Sequence, residues 1–114
     1  GVPEDHVGSY AFGHVFPPHH AAAAGFAEGL AASIEIKKAR GESAEEEEKV
    51  MRWTLSYLLR FQWREDNCFM CTRKLRIVGG FSENAASPNI RIDFAQHSMS
   101  GMLHAARALG ILPR

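Results

Sequence analysis

The stretch from Asn89 to Leu109 constrains this chain most. At helical spacing it is apolar over most of its surface and carries one polar stripe. Asp93, His97, Ser100, His104 and Arg107 make the stripe, among Ile92, Phe94, Met99, Met102, Leu103, Ala105 and Leu109. Ionisable groups on a buried helix are costly unless something satisfies them. The stripe is therefore expected to be either a pocket wall or an internal hydrogen-bond network.

The 114 residues suit one domain with a modest core. Lys plus Arg number 13 and Asp plus Glu number 13, so the formal net charge is zero. No large positive field exists to neutralise phosphates, which argues against nucleic acid as a partner. Glu42 and Glu45 to Glu48 form an acidic run, and Arg73, Lys74 and Arg76 a short basic one. Both read as solvated surface. No apolar run reaches the roughly eighteen residues of a transmembrane helix. No basic segment followed by an apolar stretch opens the chain, so no signal peptide is expected. The chain opens Gly1-Val2-Pro3 and stops at Pro113-Arg114. It reads as processed, trimmed, or a piece of something longer. Two cysteines do not make a disulfide-rich scaffold.

The pattern predicts an all-α domain. Residues 1–17 form an irregular arm whose Tyr10, Phe12, Val15 and Phe16 pack onto something. A helical domain follows over 18–114, with helices at about 18–40, 43–63 and 89–109. Pro18 suits a first helical turn, and Gly41 supplies a C-terminal stop. Ala21 to Ala24, Gly25 and Gly29 leave one side of the first helix bare, where a partner helix can approach closely. Phe26, Leu30 and Ile34 give it an apolar stripe, and Lys37, Lys38 and Arg40 complement its dipole. Ser43 and Glu46 match a capping box for the second helix. That helix is apolar on two sides, along Val50, Trp53, Tyr57, Leu58 and Phe61 and along Met51, Leu55, Leu59 and Gln62. Such a helix is usually sandwiched between neighbours. The connection 64–88 is long and Gly-rich, and Leu75 to Val78 is extended or a short strand. Long loops in compact domains are often functional.

Cys68 and Cys71 have C-x-x-C spacing. Two such thiols can ligate zinc, act as a redox pair, form a disulfide, or simply pack. A structural zinc needs four ligands, so His14, His19, His20, His97 or His104 would have to complete the set. His19 and His20 point about 100° apart on a helix and cannot easily share one ion. Asp93 and His97 are four apart and meet on one face. That pair can orient an imidazole for acid/base work, or be a core histidine held by its carboxylate. Gln96 and Arg91 flank the stripe and are placed to bond loop carbonyls. No nucleophile elbow, phosphate-cradling glycine loop or His-Glu-x-x-His motif is present.

The segment Trp53 to Gln62, then Glu65-Asp66-Asn67, then Gly79-Gly80-Phe81-Ser82-Glu83, then a helix ending Ala105 to Gly110 resembles repeats of α/α-toroid proteins. The match is to the prenyltransferase and squalene-cyclase repeat, over about Ser43 to Leu112. In such families paired helices form a ring, and loops at one end wall a central pocket. The resemblance implies that Asp66, Asn67, Glu83 and Asp93 lie at a pocket rim, with His97 further along the wall. On that reading the chain is a segment of an enzyme acting on a carbohydrate or isoprenoid substrate. His97 would be acid/base, Asp93 its orienter, and Asp66, Asn67, Glu83, Gln96 and His104 would bind substrate. An alternative is a non-catalytic helical subunit of a larger assembly. A third reading is a small zinc-binding module built on Cys68, Cys71 and histidines. The two-sided second helix and the alanine-lined first helix predict burial against another chain, a second copy, or a further part of the fold.

Overall fold

Alanine dominates the first half of the helix His20–Ala39 (α1), and that composition places it at the centre of the fold. The structure is a computed structural model. It describes residues 4–10, 20–68, 77–84, 87 and 89–113, the side chains of Asp5, His20 and Ala21 excepted. A 3-10 turn, Glu4–His6, precedes α1, and the helices Glu45–Arg60 (α2) and Ile92–Ala108 (α3) follow. The fold is all-α. Among the described residues the only strand-like pairing is an isolated antiparallel bridge between Ser82 and Ile90.

α1 packs on both other helices, which touch each other little. Ala23, Ala24, Ala27, Ala31 and Ile34 are buried on it. On α3 the buried residues are Phe94, Ser98, Gly101, Ala105 and Ala108. The small side chains bring the two helices into close contact. A Cβ on Gly101 would stand 2.7 Å from the Ala24 carbonyl oxygen and 3.4 Å from the Ala27 Cβ. The expected close approach is thus present, but along the alanines. Gly25 and Gly29 face open space. The alanine face is covered by α3 of the same chain, not by another subunit.

α1 and α2 form an antiparallel hairpin. Gly41, at φ +71, ends α1. Glu42 N–H donates to the Lys37 carbonyl (2.9 Å) and Gly41 N–H to the Lys38 carbonyl (3.0 Å), the paired bonds of a Schellman turn. α3 ends in the same way at Gly110. The capping box does not form. α2 starts at Glu45, with Ala44 as its N-cap and no side-chain cap bond. Ala44 is buried in the core cluster, so packing fixes this turn, and Ser43 Oγ reaches only the Glu45 N–H at 3.5 Å. The second helix is not sandwiched on two sides. Met51, Thr54, Tyr57 and Leu58 face inward, whereas Trp53 and Leu59 are exposed. Lys49 lies over the Trp53 ring at 5.2 Å and shields part of it.

The acidic run is more than solvated surface. At this end of the bundle Lys37 pairs with Glu47 and Lys38 with Glu48. Lys38 Nζ also donates to the Ala108 carbonyl at 2.8 Å, which joins the C-terminal ends of α1 and α3 to the N-terminus of α2. A cation at two carbonyl ends and carboxylates at an amide end both complement the helix dipoles.

At the other end the arm packs on α2, as Tyr10 implied. The Tyr10 ring stacks on Phe26 with centroids 4.5 Å apart, and its hydroxyl accepts from Thr54 Oγ1 at 3.3 Å. Gly8 lies so close to α2 that a Cβ there would meet the Trp53 carbonyl oxygen at 2.0 Å. Phe12, Val15, Phe16 and the start at Pro18 fall outside the described residues. The long connection is pinned where it leaves α2. Trp63 N–H donates to the Gly80 carbonyl (2.9 Å), and the Trp63 carbonyl accepts from Gly79 N–H (2.7 Å). Of the stretch expected to be extended or a short strand, Ile77 and Val78 lie in a turn, and Leu75 and Arg76 fall outside the described residues. α3 starts at Ile92 rather than Asn89, because Ile90 is drawn into the bridge with Ser82 and Arg91 stays extended.

Gly101→Ala should destabilise by about 1–3 kcal/mol, since its methyl group drives into the α1 backbone. Gly29→Ala should stabilise by about 0.5–1 kcal/mol, because it only improves helix propensity. Urea titrations of both variants check the contrast. Lys37 donates a hydrogen bond that holds the Glu47 carboxyl below its ordinary value of 4.5. A carboxyl lowered in the folded state stabilises it above that value, and the benefit fades as pH falls through the lowered one. Glu47→Gln should therefore flatten the loss of stability below pH 4.5, more visibly at low salt, in thermal melts across that range.

Candidate functional site

The polar stripe avoids the cost of burial by lying at the surface. His97, His104 and Arg107 are exposed, and Ser100 and Asp93 are half-buried. The apolar surface expected around the stripe is only partly covered. Ile92 is 87% exposed, Met99 58% and Leu103 41%. These three lie on the side of α3 opposite Phe94, Ser98, Gly101 and Ala105, which face the core.

A groove of about 460 Å³ runs along this outer face. Among the described residues its lining is Ile92, Ala95, Gln96, Met99, Ser100, Leu103, His104 and Arg107, all from α3. A second cleft of about 240 Å³ adjoins it between α3 and α1, where Ala31, Ala32 and Glu35 meet the same His104 and Arg107. His104 and Arg107 thus form a ridge that serves both hollows.

Of the residues predicted to bind substrate, Gln96 and His104 line the groove. Asp66, Asn67 and Glu83 do not. Asp66 is exposed and ion-paired with Arg64 (3.0 Å). Asn67 is committed to its own loop: its Oδ1 accepts from Arg64 N–H (2.7 Å) and its Nδ2 donates to the Gln62 carbonyl (2.8 Å). Glu83 sits beside the Ser82 bridge. Among the described residues the loop supplies no group to this face.

The proposed acid/base residues are drawn to other partners. Asp93 pairs with Arg91 at 3.1 Å, and the Arg91 guanidinium rests over the Phe94 ring at 5.1 Å. His97 Nδ1 lies 3.7 Å from a Glu28 carboxylate oxygen on α1. Sequence reasoning missed both Glu28 and Glu35. A signal existed, since Ala24, Glu28, Ala31 and Glu35 follow one another at helical spacing, and the alanines mark that edge of α1 as the one against α3.

Cys68 is buried and disulfide-bonded. The sequence holds one other cysteine, Cys71, which lies outside the described residues with His14 and His19. A disulfide sulfur is not the thiolate that zinc needs. Among the described residues no group of three or more His, Cys, Asp and Glu is placed to hold a metal ion. The zinc module built on Cys68 and Cys71 therefore lacks its donor set there. No helix of the described residues is long and apolar enough to cross a membrane.

No family model, curated protein or solved structure matches the chain. Its class therefore rests on the all-α fold, and its site on the face just described.

An exposed ion pair contributes only about 0–1 kcal/mol. His97→Ala should accordingly change stability by less than about 1 kcal/mol in urea titration, and Glu28→Gln should match it. A larger loss would reveal a structural network around His97.

Proposed function

We propose that this chain is a non-catalytic helical unit that joins a larger assembly through the outer face of α3. The observation that carries the reading is the contiguous exposure of Ile92, Met99 and Leu103 along one helix face. Single exposed apolar residues are ordinary, but a contiguous apolar strip edged by polar groups marks an interaction surface. The polar edge here is Gln96, Ser100, His104 and Arg107. Its described lining runs along one helix, which suits another helix laid along it.

A second reading is favoured by Gln96 and His104, which stand among apolar side chains in the groove. Should further helices close over that face, as in an α/α toroid, it would wall a pocket for a carbohydrate or isoprenoid. His104 and Gln96, rather than His97 and Asp93, would then meet the ligand.

The test is a photo-reactive amino acid placed at Leu103 in the cell, with Arg52 on the exposed side of α2 as control. The interface reading expects a discrete protein adduct from position 103 and none from position 52. Absence of any protein adduct at 103 would reject it.

A further inference from the structure

Building on the reading of α3 as an interface, we propose that its occupant is a second copy of this chain. The two α3 helices lie antiparallel, about a two-fold axis near Ser100. Three observations support this.

The first is position. The apolar strip Ile92, Met99 and Leu103 faces directly away from Phe94, Gly101 and Ala105, which hold α1. Among the described residues nothing else lies on that side, so a second α3 can approach it without displacing α1 or α2.

The second is the charge pattern along the edge of the strip. Asp93 and Arg107 stand seven residues to either side of Ser100, and Gln96 and His104 four to either side. In a two-fold pair each edge meets the same edge of its partner, running the opposite way. Asp93 then meets the partner's Arg107 at both ends, and Gln96 meets the partner's His104. In a parallel two-fold pair this edge would face the partner's other edge, Ala95, Met102 and Ala106, which offers no charge. Asp93 is free to take part, because its pair with Arg91 is an exposed one of little energetic weight.

The third is the dipole. Antiparallel helices bring opposite ends together, and the pairing of an N-terminal acid with a C-terminal base reinforces this. The strip is short, about 17 Å from Ile92 to Leu103 at 1.5 Å per residue. The dimer is accordingly of the weak, concentration-dependent kind rather than an obligate one.

The experiment is light scattering across a dilution series of the full chain at low salt. The proposal expects the mass to rise toward twice 12.6 kDa with concentration. Asp93→Arg and Arg107→Asp should each shift the midpoint at least tenfold toward monomer. The double variant, which swaps the charges, should restore the original midpoint. Circular dichroism of each variant confirms the fold, and Leu103→Lys gives an independent monomer. A mass that stays at 12.6 kDa at every concentration overturns the proposal. So does a dimer in which the charge swap fails to restore association. Adducts at position 103 with a different protein would likewise overturn the second copy while leaving the interface reading intact.

Discussion

The rest of the fold depends on the contact between Gly101 and the α1 backbone at Ala24. Without a side chain at Gly101, and with only methyl groups at Ala24, Ala27, Ala31, Ala105 and Ala108, two helices approach closely along their length. Each alanine brings little apolar area, so the stabilisation comes from many short-range contacts rather than large side chains. Such an interface tolerates little added volume. Tyr57, Leu58 and Met51 of α2 supply the bulk of the same buried face of α1, among Ala23, Ala24 and Ile34.

The connection between α2 and α3 makes that arrangement possible. A short link would lay α3 beside α2. The long one, anchored by Trp63 against Gly79 and Gly80, lets α3 pack chiefly on α1 while it touches α2 little. At the opposite end of the bundle Lys37 and Lys38 gather Glu47, Glu48 and the Ala108 carbonyl. Each helix is thus tied to α1 by packing along its length and by charge at one end. The outer side of α3 is left with no neighbour among the described residues, and it is there that apolar and polar side chains stand together at the surface.

Parts of this were legible in the sequence because they depend on local chemistry. Gly41 ends α1 through its own positive φ, and the lysines before it sit where a helix C-terminus favours them. Tyr10 declared that the arm packs. The alanine run announced a close helix contact, though not that Gly25 and Gly29 would face outward while Gly101 received the partner. The capping box failed because burial of Ala44 outweighed the local preference of Ser43. The pair of Asp93 and His97 looked ready-made at four-residue spacing, yet Arg91 took one and Glu28 the other. Spacing shows which groups can meet along one helix, and gives no account of competitors brought by another.

By itself the sequence determined an all-α chain of three helices, a long connection, and a third helix with too much apolar surface for its polar stripe. Those follow from periodicity and from glycine and proline chemistry, which act within a few residues. Only the tertiary structure decided which side of that helix was covered. Packing on α1 used the small side chains, because only they permit close approach, and so Ile92, Met99 and Leu103 were turned outward. The same choice placed His97 beside Glu28 and left His104 and Arg107 at the edge of an open apolar face.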